Sequence, residues 1–130
     1  MAREEFHADA AEAKDIAFGA NCGGVYFTGS RAIAPKTCKA ESDIDFVVLG
    51  SEQVREALLK AGFEEEGASQ NYDIEGFRSL RKGRINMIVT PSEDFYNRFV
   101  LATRLAKRLR LAKKGDRLAV FQAILYGNAP

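Results

Sequence analysis

The sequence has 130 residues, of which 46% are hydrophobic and 28% are charged, the composition of one globular domain with a core of its own. Its formal net charge of +1 indicates no class of partner. Because no apolar run approaches the roughly 18 residues of a membrane span and the first residues are charged, we expect neither a membrane partner nor a signal peptide. We therefore expect a cytoplasmic protein in which Cys22 and Cys38 are reduced.

The first half of the chain alternates helices and strands. Small and apolar residues recur at three- and four-residue intervals near the start, as in an amphipathic helix. The run GGVYFTGS predicts a buried strand, and Pro35 ends a short helical turn after it. Ser51 starts a further helix, which Gly62 ends. The predicted helix, strand, helical turn, strand and helix occupy residues 4–20, 23–30, 31–34, 43–49 and 51–62.

The second half begins with a polar, irregular strand and loop over residues 64–71. Two strand-like runs follow at residues 76–80 and 84–89, and the polar residues 81–83 between them suit a tight hairpin turn. Ser92 is the expected cap of a long helix because it follows a proline and precedes a glutamate.

Apolar residues at helical spacing continue to Leu109, and residues 114–116 are expected to break the helix before a last one over residues 117–126. This order of elements predicts a single mixed domain of the α/β (α+β) class, with a small mixed β-sheet flanked by helices. We expect its core at about residues 24–90 and its two C-terminal helices at about residues 92–127.

Charge is divided unevenly along the chain. Up to Phe77 there are 15 acidic and 7 basic residues, whereas from Arg78 to Arg117 there are 12 basic and 3 acidic residues. The basic C-terminal helices are either an ordinary solvated face or a surface for a triphosphate or RNA. The last helix is apolar beyond one helical stripe, which leaves a homo-oligomeric contact open.

Two aspartates open the second predicted strand. Side chains two residues apart share a face of a strand, so Asp43 and Asp45 project together while Ile44 and Phe46 face the core. Two adjacent carboxylates repel unless a cation lies between them, and carboxylate oxygens are the ligands that Mg²⁺ prefers. Without further context, such a pair is more simply a solvated strand end.

The residues that favour a metal site over a solvated strand end lie at the end of the first predicted strand. There, Gly29 lets a phosphate approach the backbone, and Ser30 offers a hydroxyl and an amide. Arg31 either adds charge-assisted bonds to the phosphate or pairs with Glu41. A phosphate cradle and a carboxylate pair together suggest a nucleoside triphosphate with its metal, and the transfer of a nucleotidyl group.

These two motifs carry a family resemblance. Gly29-Ser30, twelve further residues and then the sequence DIDF resemble the signature of the nucleotidyltransferase superfamily, which has the DNA polymerase β-like fold. The form found here is similar to the minimal nucleotidyltransferases, which include antitoxins with helical toxin partners and antibiotic-modifying enzymes. The resemblance covers about residues 24–90, and the C-terminal tail is similar to that of small phage-encoded proteins of this fold.

The resemblance implies a Mg²⁺ or Mn²⁺ cofactor and a nucleoside triphosphate, with ATP as the first candidate. The residues it assigns to the nucleotide are Gly29, Ser30, Arg31 and Ser42. The residues it assigns to catalysis are Asp43, Asp45 and Asn86, and those it assigns to the metal are Asp43 and Asp45.

The position of Asn86 departs from the family pattern, which has a third carboxylate on a later strand. Asparagine accepts hydrogen bonds through its carbonyl oxygen, but it carries no charge and is not a base. Asp73 or Glu75 are the available substitutes. Three functions stay open. The first is a metal-dependent transferase whose acceptor is a hydroxyl of a protein, an RNA or a small molecule. The second is a nucleotide-binding regulatory protein without transfer, and the third is a protein- or RNA-binding module that uses the basic helices.

Overall fold

The computed structural model of the chain describes residues 2–39, 41–66 and 78–127, with side chains from residue 9 onward. Helices and strands alternate through most of these ranges. In chain order they are α1 (Ala2–Gly19), β1 (Gly24–Thr28), α2 (Gly29–Ile33), β2 (Ile44–Leu49), α3 (Glu52–Lys60), β3 (Glu64–Glu66), β4 (Arg78–Lys82), β5 (Ile85–Thr90), α4 (Glu93–Arg108) and α5 (Lys114–Tyr126).

The strands form one mixed sheet in the order β1-β2-β5-β4-β3. The central pair, β2 and β5, is parallel, and the other neighbours are antiparallel. Every residue of β5 is buried, as expected of a parallel strand covered on both faces. The predicted small mixed sheet flanked by helices is therefore confirmed.

Each face of the sheet has its own hydrophobic core. Successive side chains of a strand point to opposite faces, so Phe46 and Met87 enter one core while Val47 and Ile88 enter the other. Helices α1 and α3 cover the first core, and α2, α4 and α5 cover the second. Both faces of the sheet are therefore buried, as a sheet flanked by helices requires.

Local signals predicted the starts of α3 and α4 correctly. The hydroxyls of Ser51 and Ser92 accept hydrogen bonds from backbone amides in the first turns of α3 and α4. The expected hairpin joins β4 and β5, although β4 continues through Lys82 and the turn consists of Gly83, whose φ is 60°, and Arg84. Residues 67–77 of the predicted loop and strand lie outside the described residues.

The predicted helix break at residues 114–116 is wrong. Helix α4 ends at Arg108, the chain turns at Arg110 with φ of 55°, and α5 already begins at Lys114. Gly115 and Asp116, whose residue types suit a helix break, lie in the first turn of α5, where an acidic side chain is favoured by the helix dipole. The two C-terminal helices themselves are as predicted.

Two further findings bear on the chemistry of the chain. Cys22 and Cys38 are free thiols in this structure, and burial raises the pKa of Cys22. Within the described residues, the chain has no helix with the length and apolar character needed to cross a membrane.

We expect Leu58→Ala to lower the free energy of unfolding by about 2–5 kcal/mol, since the substitution leaves a cavity in the first core. Leu58 is 0% exposed there. The matched control is Leu59→Ala, because Leu59 is 36% exposed and should lose less than about 1 kcal/mol. Urea unfolding of both variants measures the difference, and equal losses would contradict the assignment of this core.

Candidate active site

A row of polar side chains crosses the sheet where β2 and β5 begin. The strand register pairs Thr28 with Asp45, Asp45 with Asn86, and Asn86 with Arg81. Because paired residues on neighbouring strands point to the same face, all four side chains stand on the face covered by α2 and α4. Side chains from four strands thus form one row at the end of the sheet where β2 and β5 begin.

Asn86 is the immediate neighbour of Asp45 in this row. Its side-chain nitrogen donates a hydrogen bond to Asp45 Oδ1 at 3.1 Å, and its oxygen accepts one from the Ser79 hydroxyl at 3.3 Å. Both Asn86 and Ser79 are buried. The Asn86 amide therefore turns a donor toward Asp45, and its oxygen is engaged on the side away from the carboxylate.

Gly29 lies directly against the Asp45 carboxylate. The glycine has φ of 80°, and a Cβ atom built there would lie 2.1 Å from Asp45 Oδ2. Sequence reasoning explained this glycine by the approach of a phosphate. The structure adds a second reason, because Asp45 packs against the Gly29 backbone and leaves no room for a side chain.

Arg31 and Ser42 connect the start of α2 to the loop before β2. The Arg31 Nε atom donates to the Ser42 carbonyl at 2.9 Å, and Arg31 Nη2 donates to the Lys39 carbonyl at 3.5 Å. The Ser42 hydroxyl accepts from the Lys39 amide at 3.1 Å. Ser30, the second residue of α2, is half-buried. The candidate nucleotide residues are therefore brought to one end of the sheet together with Asp45.

Sequence reasoning missed Arg81. Its Nη1 atom lies 2.7 Å from Asp43 Oδ2, and its Nε atom lies 2.8 Å from Glu66 Oε1 on the edge strand β3. In the sequence, Arg81 is one of many basic residues. The position of Arg81 opposite Asn86 in the hairpin could have indicated that the two side chains lie together. The predicted turn included Arg81, however, so the prediction did not place this residue on a strand.

The charge on Asp45 is unfavourable in its surroundings. Burial, helped by the nearby charge of Asp43, raises the pKa of Asp45 to about 6 from its ordinary 3.8. The hydrogen bond from Asn86 and the positive charges of Arg81 and Arg31 oppose this rise without cancelling it. A cation near Asp45 would therefore stabilise its ionised form.

The site fits a metal ion that arrives with a nucleotide. Among the residues that the structure describes, His, Cys, Asp and Glu do not gather in groups of three that could hold a metal. Asp43 and Asp45 supply two carboxylates, and Mg²⁺ commonly binds one or two carboxylates together with water and substrate phosphates. Asp73 and Glu75, the substitutes considered for a third carboxylate, lie outside the described residues.

A buried pair of hydroxyls connects the end of β1 to α4. Thr28 and Thr103 are both buried, and their Oγ1 atoms are 2.7 Å apart. The Thr103 hydroxyl donates to the Phe99 carbonyl at 2.8 Å, so Thr28 is the donor to Thr103. The residue before Gly29 is thereby tied to the C-terminal helices.

Most of the charged residues exposed on the C-terminal helices are basic. Arg98 pairs with Asp94, and Arg117 donates to backbone carbonyls between the two helices. The remaining basic residues of this region are exposed: Arg104, Lys107, Arg108, Arg110, Lys113 and Lys114. A solvated face and a nucleic-acid surface both require such exposure, so the two interpretations stay open, as does a homo-oligomeric contact of α5.

Comparisons with known proteins show the fold. No protein-family model matches the sequence, and no curated protein matches it significantly. Among solved structures, Cid1 in complex with the UTP analog UMPNPP superposes with a TM-score of 0.53 at 16% identity, covering 92% of this chain and 37% of the Cid1 chain. The conserved protein GrpB from Enterococcus faecalis superposes with a TM-score of 0.54 at 19% identity, covering 96% of this chain and 93% of GrpB.

The chain thus spans little more than a third of Cid1 and nearly all of GrpB. At such low identity the likeness is one of fold. The chain has the polymerase β-like nucleotidyltransferase fold, as the resemblance implied, and its Asp-x-Asp pair and Gly-Ser pair meet at one edge of the sheet.

We expect Gly29→Ala to lower the free energy of unfolding by about 1–3 kcal/mol, because an alanine is strained at this φ and its Cβ meets Asp45. In an Asp45→Ala background the same substitution should cost less, since the carboxylate is gone. Gly115→Ala is the control, because a Cβ at Gly115 meets no atom within 4 Å. Urea unfolding of the cycle tests this, and an equal cost in both backgrounds would contradict the contact.

We expect Asp45→Asn to stabilise the metal-free protein at pH 7.5. Because the folded chain holds the Asp45 proton more tightly than the unfolded chain, stability falls as the pH rises from about 4 to about 6. Two pKa units correspond to at most about 3 kcal/mol, and the Asn variant, which still accepts from Asn86, avoids this loss.

The measurement is urea unfolding of the native chain and the variant at pH 3.5 and pH 7.5. The gain should be largest at pH 7.5 and small at pH 3.5. Asp15→Asn, at an exposed position of α1, serves as the control and should change stability by less than about 0.5 kcal/mol. A gain that is independent of pH would contradict the role of ionisation.

Proposed function

We propose that the chain is a metal-dependent nucleotidyltransferase, which moves a nucleoside monophosphate from a nucleoside triphosphate to a hydroxyl acceptor. The observation that carries this proposal is the contact of Asp45 with Gly29, which unites the carboxylate pair with the glycine-serine turn on one face of the sheet. The nucleotidyltransferase fold supports it. So does the UTP analog that Cid1, a protein of similar fold, holds in its solved complex.

The proposed roles follow from chemistry and position. Asp43 and Asp45 hold Mg²⁺ or Mn²⁺, which stabilises negative charge on the phosphates when bound. Gly29 and Ser30 receive phosphate oxygens through their backbone amides and the Ser30 hydroxyl, and Arg31 supplies positive charge beside them. Ser42 holds Arg31 in place through its carbonyl.

In the reaction, the acceptor oxygen forms a bond to the α-phosphorus, and the bond between that phosphorus and the β-phosphate oxygen breaks. Pyrophosphate leaves, and the hydroxyl proton passes to solvent or to a group of the acceptor. Asn86 cannot take this proton because an amide is not a base in this pH range. We therefore expect slow transfer compared with an enzyme that has a carboxylate at this position.

A second function is favoured by the hydrogen bonds of Asn86. Its nitrogen donates to Asp45 and its oxygen accepts from Ser79, so the amide stabilises the carboxylate without adding a ligand or a base. Such a site suits a protein that binds a nucleotide and its metal but does not transfer the nucleotidyl group. This protein would act as a regulator that responds to nucleotide.

We expect ATP to bind in the presence of Mg²⁺ or Mn²⁺ and to lose at least tenfold in affinity when Asp43 and Asp45 are both changed to Asn, because the metal then lacks its protein ligands. Isothermal titration calorimetry with and without metal measures this. Asp15→Asn/Asp116→Asn is the matched control, since both aspartates are exposed and neither belongs to the candidate site. Absence of binding in every condition would refute both functions.

Asn86→Asp separates the two functions. Restoring a carboxylate should raise transfer from an α-labelled triphosphate by at least about tenfold, since a positioned general base contributes about 10²–10⁴ in rate. Asn97→Asp is the control, because Asn97 is exposed on α4. If the native chain transfers label, the first function stands. If the native chain binds the triphosphate without transferring label, and Asn86→Asp transfers it, the second function is supported.

A further inference from the structure

Arg81 places a permanent positive charge in the candidate site. Its guanidinium bridges Asp43, at the start of β2, and Glu66, on the edge strand β3. The Arg81 side chain is 29% exposed, so it lies at the rim of the site and not free in solvent. A guanidinium stays charged across the physiological pH range and holds carboxylates in a fixed geometry.

Among the residues that the structure describes, guanidinium groups accompany the carboxylates of the site. The charged groups that act on Asp45 are the carboxylate of Asp43 and the guanidinium groups of Arg81 and Arg31. Two carboxylates, and a third from Glu66 that shares Arg81, thus face two guanidinium groups. Asn86 stands beside Asp45 in register and adds no charge to the row.

This balance differs from that of a site built for two divalent ions. Two metals about 4 Å apart need several anionic ligands to offset their four positive charges. Here one of the two carboxylates is already paired with Arg81 at 2.7 Å, and a second divalent ion beside Asp43 would have to displace or adjoin that guanidinium.

We propose that Arg81 is a built-in cation that neutralises Asp43, so that the nucleotide is bound with one divalent ion, held mainly by Asp45, in place of two. This inference rests on the proposed nucleotide site. Arg81 is then a positioning residue, which sets how many metal ions the site accepts. Glu66 holds the guanidinium in place from the neighbouring strand.

The test counts Mn²⁺ ions bound per chain in the presence of α,β-methylene-ATP, by calorimetry and by the electron paramagnetic resonance signal of free Mn²⁺. We expect one ion per native chain. We expect two for Arg81→Gln, because Asp43 is then free to bind a metal, and one for Arg81→Lys, which keeps the charge.

Arg55→Gln is a closely matched control. Arg55 also bridges two carboxylates, those of Glu52 and Glu65, and its side chain is 28% exposed. It lies on α3, which covers the opposite face of the sheet from the site. Its loss should leave the count at one ion per chain, so a change common to both variants would reflect a general effect of removing a surface arginine and would overturn the inference.

The remaining outcomes separate this inference from the proposed function. Two ions on the native chain would overturn the role of Arg81 while the nucleotide site stands. No metal and no analogue bound would refute the nucleotide site itself. One ion on both the native chain and a folded Arg81→Gln variant, as judged by circular dichroism, would also overturn the inference. The native count remains decisive if Arg81→Gln does not fold.

Discussion

The packing of the Asp45 carboxylate against Gly29 is the contact on which the site depends. It requires a backbone with positive φ and no side chain at residue 29, and a strand that delivers residue 45 beside the end of β1. Once these are fixed, register alone brings Asn86 and Arg81 into the same row. The pairing of the strands therefore sets the spacing of the site residues. Helix α2 and the loop that follows it supply Arg31 and Ser42.

The site is also a place where the fold gives up stability. A carboxylate whose pKa is raised to about 6 by burial is held in the charged form at neutral pH against its surroundings. The neighbouring groups reduce this cost without removing it, because Asn86 donates one hydrogen bond and Arg81 is engaged with Asp43. Such residual cost is characteristic of groups whose partner comes from outside the chain.

Much of this arrangement could be predicted from local sequence. The alternation of a strand puts Asp43 and Asp45 on one face, serine caps mark the starts of α3 and α4, and the spacing of two motifs indicates the fold. Arg81 could not be predicted, because its role depends on how far β4 runs before the turn. The packing of α4 against the Asp45 face is a contact between residues distant in sequence, so it could not be predicted either. The start of α5 was not predicted because its first residues also suit a loop.

The hydrogen bond between Thr28 and Thr103 bears on how this architecture can change over time. It is buried, and it joins the strand end next to Gly29 to the middle of α4. Because Val47 and Ile88 also rest on α4, the C-terminal helices are not a detachable module added to a self-sufficient core. A lineage that lost these helices would have to replace, in one step, the hydrogen-bond partner of Thr28 and the apolar cover of Val47 and Ile88. We therefore regard the C-terminal helices as part of the smallest unit of this fold that can be inherited.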